Sequence, residues 1–257
     1  MTSNASTDQR LAFWLTNPHA ATAEIAYAAG FRAVLLDIEH GTYDLASLER
    51  IIPVLKGLGM DILAKVLAPE RAPIQQALDF GADAVVIPHV ENLAHAKAVT
   101  AFAKFPPLGD RSFAGGRTHN YIDPLDDAWA LRQDQTTRCY PMIEDSGALD
   151  DIESILNLPT VDGVFVGPTD LSIRRGRGTY KRTEDDYQDI EKIARAARAA
   201  GKHWVFPSWT LEEQRFGVAH GANQLVVSME QGALYKGFAQ DLAASREATN
   251  VKPPLSV

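Results

Sequence analysis

Short apolar and β-branched runs alternate with longer Ala- and Leu-rich amphipathic runs along this chain, and that rhythm restricts the fold more than any other feature. Strands separated by helical patterns form parallel sheets with helices laid on their faces. The strand candidates are Leu11 to Leu15, Ala33 to Asp37, Ile62 to Leu67, Ala84 to Ile87, Arg138 to Ile143, Gly163 to Val166, His203 to Phe206 and Gln224 to Val227. This is the set that a closed (β/α)8 TIM barrel requires. Most are apolar throughout, as expected of strands buried between a barrel interior and an outer helical layer.

Helical patterns occupy Ala20 to Ala29, Leu45 to Leu58, Pro73 to Phe80, Leu93 to Lys104, Leu149 to Leu156, Asp186 to Ala200, Leu211 to His220 and Ala233 to Glu247. Gly30, Gly59, Gly81, Gly201 and Gly221 stand where a helix ends in a left-handed residue. No low-complexity stretch or Pro/Ser-rich linker divides the 257 residues, so one α/β barrel domain over residues 1–257 is expected. The segment Phe105 to Thr137, with Pro106-Pro107-Leu108-Gly109 and Gly115-Gly116, exceeds an ordinary connection. It reads as a lid or interface loop interrupted by a short helix near Pro124 to Gln133.

Composition narrows the function classes. The chain carries 33 acidic residues against 25 Lys plus Arg, a net charge of −8, which argues against nucleic acid as principal partner. A hydrophobic content of 46% describes a soluble globular chain. Neither a membrane span nor a secretory signal is expected, because no long uncharged apolar run occurs and Met1 to Gln9 is polar. The single cysteine, Cys139, reads as a small buried residue and suits a reducing, cytoplasmic setting.

Barrel chemistry gathers at the C-terminal ends of the strands. There the sequence places Asp37-Ile38-Glu39-His40-Gly41, Lys65, Pro88-His89, Glu144-Asp145 and Gly167-Pro168-Thr169-Asp170. Glu144 and Asp170 end adjacent strands and offer hard oxygen ligands suited to Mg²⁺ or Mn²⁺; each alone would equally suit a helix N-terminus. His40, three residues after Asp37, is a candidate general base oriented by that acid, or a surface histidine on a turn. His89, after Pro88, is a lesser candidate for the same role and reads as structural. The amides of Thr169 and Asp170 could meet an anionic oxygen, or merely close a tight turn. Arg174, Arg175 and Arg177 form a basic cluster that suits either a distal anion or solvent.

Leu36-Asp37-Ile38-Glu39-His40-Gly41, Pro106-Pro107-x-Gly109-x-Arg111 and Val161-Asp162-Gly163-Val164-Phe165-Val166-Gly167-Pro168-Thr169-Asp170-Leu171-Ser172 together resemble the HpcH/HpaI aldolase family, class II aldolases of 2-oxo acids. The likeness runs from about Leu11 to Phe238, and its last motif is specific. The resemblance implies a barrel assembled as a hexamer, a trimer of dimers that exchange their last helix. It implies a divalent ion on Glu144 and Asp170, with Mg²⁺ or Mn²⁺ foremost and Co²⁺ or Zn²⁺ as further candidates. His40 with Asp37 would be the acid/base pair, and Gly167, Thr169 and Asp170 would hold the 2-oxo acid. Two positions depart from the pattern: Lys65 replaces an arginine, so a point charge replaces a bidentate fork, and Met142 replaces a glutamine. Pro141 beside it suggests a strand bulge.

The expected activity is reversible retro-aldol cleavage of a 4-hydroxy-2-oxo acid to pyruvate, or a close relative, and an aldehyde, with Lys65 as electrostatic clamp. Competing readings are decarboxylation of an oxaloacetate-like acid, Schiff-base catalysis through Lys65, kinship with CoA-ester lyases, and a barrel that binds 2-oxo acids without turning them over.

Overall fold

The computed structural model describes residues 11–113, 116–123 and 126–249. The polar Met1 to Gln9 stretch, Gly115 and Pro124 lie outside the described residues. Eight parallel strands close in sequence order: β1 (Leu11–Leu15), β2 (Ala33–Asp37), β3 (Asp61–Lys65), β4 (Ala84–Ile87), β5 (Arg138–Ile143), β6 (Gly163–Val166), β7 (His203–Pro207) and β8 (Gln224–Met229), with β8 pairing back to β1. The (β/α)8 barrel expected from the alternating pattern is therefore the fold.

Around it run α1 (Ala20–Ala28), α2 (Leu45–Gly57), α3 (Arg71–Phe80), α4 (Leu93–Thr100), α5 (Asp127–Thr136), α6 (Ser146–Asp150), α7 (Ile152–Leu156), α8 (Pro168–Arg174), α9 (Glu184–Ala199), α10 (Leu211–Ala219) and α11 (Glu230–Thr249). Gly30, Gly59, Gly81, Gly201 and Gly221 all have positive φ, so the helix stops read from glycine stand. Some elements depart from expectation: Leu149 to Leu156, read as one helix, is divided between α6 and α7, α4 ends at Thr100 short of Lys104, and the stretch after Gly167, read as a turn, forms α8, with Pro168 at its start where a missing N–H costs nothing.

The strands divide their side chains between two cores. Val34, Leu36, Ile62, Ala64, Val85 and Ile87 face outward onto helix residues such as Ile52, Leu55, Ile74 and Ile193. Ala12, Trp14, Leu35, Leu63, Tyr140, Met142 and Phe165 fill the interior. Pro141 produces no bulge, since β5 keeps its register with β4 through Ile87 and Pro141. In a parallel ladder a residue's N–H serves one neighbour only, so its loss removes a bond without displacing the Cα pairs. The register shift that does occur lies between Ala12 and Phe13, where β1 meets β8.

The described part of the long segment from Phe105 lies along the outer face of α3. Arg111 is buried there with its guanidinium 2.6 Å from Asp79, Arg71 pairs with Asp110, and the Ser112 amide donates to Gln75. Phe105, Phe113 and Trp129 pack ring against ring beneath it. Within α11 Glu230 is buried, whereas Leu234, Tyr235 and Phe238 are half or more exposed. No helix among the described residues is long and apolar enough to cross a membrane.

Candidate active site

The barrel's alternation carries polar groups to its mouth. Successive side chains on a strand point to opposite faces, so the interior row Ala33, Leu35 continues to Asp37; Leu63 continues to Lys65; Tyr140 and Met142 to Glu144; and Phe165 to Gly167. Each of these residues stands at a C-terminal strand end, one step beyond the apolar filling.

Lys65 and two carboxylates form a buried triad there. The Lys65 ammonium lies 2.7 Å from Glu39 Oε2 and 3.4 Å from Asp37 Oδ1, and all three side chains are less than a tenth exposed. Asp37 Oδ2 accepts a hydrogen bond of 2.9 Å from the Trp14 indole, whose ring centroid is 5.4 Å from the ammonium. Charges taken this far from water require such compensation, and each member here is paired.

Glu39 continues the chain of contacts through its other oxygen. His89 Nε2 is 2.6 Å from Glu39 Oε1, and His89 Nδ1 is 3.4 Å from Glu144 Oε1. The same Glu144 oxygen accepts the backbone N–H of His89 at 2.6 Å. His89 has φ +56°, a left-handed conformation uncommon outside glycine. Burial raises the Glu144 carboxyl above its ordinary value; the His89 amide, His89 and Lys65 oppose that rise, and the charge of Asp170 adds to it. Asp170 lies in the first turn of α8, beside Gly167. A methyl group at Gly167 would stand 2.6 Å from Glu144 Cβ and 2.9 Å from Glu144 Oε2, so any side chain there would collide with the carboxylate.

The neighbouring acid has a different task. Asp145 caps α6 by accepting the Gly147 amide at 2.9 Å, and its other oxygen meets Arg174 at 3.0 Å. Of the Glu144-Asp145 pair, then, Asp145 serves the helix and Glu144 serves the mouth. The basic cluster also divides: Arg174 pairs with Asp145, while Arg175 and Arg177 turn to Asp189 on α9, at 2.9 and 2.5 Å.

The expected pairing of Asp37 with the His40 ring is not what the structure contains. Asp37 Oδ1 accepts the backbone N–H of His40 at 3.2 Å, and the imidazole, two-thirds exposed, has Nε2 3.6 Å from Glu39 Oε1. With the Asp37 carboxylate turned inward to Trp14 and Lys65, only the peptide of His40 reaches it, and Glu39 is the acid nearest the ring. Glu39, read only as part of the stretch after β2, and His89, read as structural, are thus members of the site. The signal for Glu39 was present: two residues after Asp37, it shares the inward-facing parity.

Among the described residues no three His, Cys, Asp or Glu side chains gather as a metal cage. The donor set that remains is Glu144 with Asp170, two hard carboxylates of the kind that leave coordination positions to water and substrate oxygens. One Glu144 oxygen is committed to His89, and the other lies against Gly167, where any side chain would crowd it; two hard carboxylates of this kind suit a small divalent cation.

A family model described as HpcH/HpaI aldolase/citrate lyase matches residues 10–231. The chain is 30% identical to the 2-dehydro-3,6-dideoxy-6-sulfogluconate aldolase of Pseudomonas putida over 241 residues, 93% of this chain and 89% of that one. It is 27% identical to the 2-keto-3-deoxy-L-rhamnonate aldolase of Escherichia coli (strain K12) over 249 residues, covering 94% and 90%. Among solved structures, the HpcH/HpaI aldolase from Desulfitobacterium hafniense DCB-2 superposes with a TM-score of 0.84 at 27% identity, covering 96% of this chain and 95% of that one.

Proposed function

The chain belongs to the HpcH/HpaI aldolase/citrate lyase family, and from that membership and the geometry of the barrel mouth we propose that it is a class II aldolase. Its reaction is reversible cleavage of a 2-oxo-3-deoxy acid bearing a C4 hydroxyl, giving pyruvate or a close 2-oxo acid and an aldehyde. Both relatives carry names that denote aldolases of 2-oxo-3-deoxy acids. The observation that carries the reading is the buried Glu144 carboxylate, one oxygen held by His89 and the other against Gly167, within electrostatic reach of Asp170.

Glu144 and Asp170 would hold a divalent ion, Mg²⁺ or Mn²⁺ foremost. Such an ion supplies Lewis-acid stabilisation of the negative charge that develops on the 2-oxo acid, a contribution of several kcal/mol. The protein's own groups do the rest. The amides of Thr169 and Asp170, in a helical first turn without intrahelical acceptors, orient the substrate carboxylate. Lys65, fixed by Glu39 and Asp37, adds positive charge from the opposite side of the mouth. His40, beside Glu39, takes the C4 hydroxyl proton as the C3–C4 bond breaks; the bonding pair passes to the 2-oxo acid fragment, and a proton is then delivered to C3.

The exposed apolar face of α11 supports assembly into an oligomer through that helix, a hexamer built from dimers in the full reading. A groove between α1 and α11 with Phe13, Ile25, Phe31, Leu234 and Phe238 in its walls belongs to the same surface. Buried Cys139 suits a cytoplasmic location. The test is release of pyruvate from 4-hydroxy-2-oxo acids, followed with lactate dehydrogenase. Turnover that disappears with EDTA and returns with Mg²⁺ or Mn²⁺ supports the reading. Undiminished turnover after complete chelation overturns it.

A further inference from the structure

We infer that His89 is a positioning residue that fixes the Glu144 carboxylate, leaving Oε2 as the oxygen free to meet a cation; the inference rests on the metal-dependent reading of the site.

His89 holds Glu144 through two of its own atoms. Its backbone N–H donates to Glu144 Oε1 at 2.6 Å, and its ring Nδ1 stands 3.4 Å from the same oxygen. The peptide N–H fixes Oε1, and the ring packed against the same oxygen blocks the rotation that would exchange Oε1 for Oε2. Oε2 is the oxygen that lies against Gly167, where a Cβ would stand 2.9 Å away and crowd it.

The ring is itself held. His89 Nε2 is 2.6 Å from Glu39 Oε1, and Glu39 Oε2 is 2.7 Å from the Lys65 ammonium. A continuous series of contacts therefore runs from β3 through the loop after β2 to the end of β4 and on to Glu144 beyond β5. Lys65, Glu39 and Glu144 have side chains no more than 8% exposed. His89 is nearly half exposed and sits at φ +56°, so neither burial nor backbone preference accounts for a histidine at this position. Its contacts with two carboxylates do.

Partners behind a metal ligand set the ligand's orientation, and removing one lowers metal affinity by about 10–100-fold. The loss of the ring should therefore weaken the cation before any substrate is present. His89→Asn is the suitable variant, because asparagine accepts a left-handed backbone and its own N–H still reaches Glu144, so the change removes the imidazole alone. Glu39→Gln tests the same arm from its far side if His89→Asn does not fold.

The experiment is Mn²⁺ titration of the full chain without substrate, reading free Mn²⁺ by electron paramagnetic resonance, with thermal melts to confirm folding. Wild type should bind, Glu144→Gln should not, and His89→Asn should bind about 10-fold more weakly or worse. Glu39→Gln should weaken binding in the same direction, and the double variant should lose less than the sum of the two, because both changes break one series of contacts. Folded His89→Asn and Glu39→Gln proteins with wild-type affinity would overturn the positioning role while leaving the metal site standing. Wild-type protein that binds no Mn²⁺ would overturn the metal reading and the role of His89 with it.

Discussion

The ammonium of Lys65 lies 2.7 Å from Glu39 Oε2, with Asp37 closing its other side. A lysine so placed serves as a fixed positive charge, and its nitrogen is turned to carboxylates instead of to a carbonyl carbon. Borohydride added with pyruvate should leave the protein mass unchanged by mass spectrometry. A reduced adduct on Lys65 would restore the Schiff-base mechanism. Lys65→Met, which leaves Asp37 and Glu39 buried without their cation, should destabilise the fold by about 3–5 kcal/mol in urea unfolding.

The two carboxylates at the mouth should be indispensable to turnover. Glu144→Gln and Asp170→Asn should each lower kcat/KM by about 100-fold or more, the scale seen when a stabiliser of developing charge is removed. Steady-state assays at saturating Mn²⁺ decide it, and a near-normal rate in either variant contradicts the assignment.

Glu144 carries a cost for the protein in the absence of metal. Burial, the largest cause, raises its carboxyl above the ordinary value of 4.5, so the folded state binds its proton more tightly than the unfolded chain does. The sign follows: the penalty is fully present above the raised folded value and fades as pH falls to and below 4.5, where both states are protonated. In EDTA, Glu144→Gln should therefore melt at a higher temperature than wild type at pH 7.5, with the gap narrowing towards pH 4.5. Added Mn²⁺ should reverse the order at pH 7.5 by stabilising wild type alone.

Cys139, the second residue of β5, is buried, and that burial pushes its thiol well above the usual range, with Asp162 adding to the effect. Thiolate is the reactive form. Folded protein should not react with Ellman's reagent at pH 8, and one thiol per chain should appear on unfolding in guanidinium. Rapid reaction of the native protein would show that the strand opens.

The apolar face of α11 provides a further measurement. Leu234 and Phe238 are 51% and 70% exposed, and their combined change to glutamate should lower the sedimentation mass if α11 joins subunits. A mass unaltered by the change would locate assembly elsewhere.

Much of this architecture was legible in the residues. The strands were readable because runs such as Ala33 to Leu36 and Ala84 to Ile87 are buried on both faces and hence apolar without interruption. Asp61 was passed over at the start of β3 because it is charged; its partner Arg138 comes from a distant strand. Glu144, Asp170, Lys65 and Asp37 were findable as polar residues at strand ends. What the sequence concealed was direction. A D-x-x-H spacing does not distinguish an imidazole from a peptide N–H as the group meeting Asp37, and that depends on where Trp14 and Lys65 draw the carboxylate. The role of His89, visible in sequence only as a polar residue at a strand end, was concealed for a related reason: its left-handed backbone, which brings both its amide and its ring to Glu144, leaves no pattern in neighbouring residues. Arg174, Arg175 and Arg177 look alike in sequence, and only the positions of Asp145 and of Asp189 on α9 separate the first from the other two.

Because Leu35 and Asp37, Leu63 and Lys65, and Met142 and Glu144 are neighbours on shared inward rows, the reactive groups inherit their aim from the barrel's filling. Anyone redesigning this scaffold for a new aldehyde should accordingly diversify the outer loops and leave those layers alone. A library that alters Leu35 or Met142 reorients the acids themselves, whereas one confined to surface connections explores new partners around an undisturbed centre.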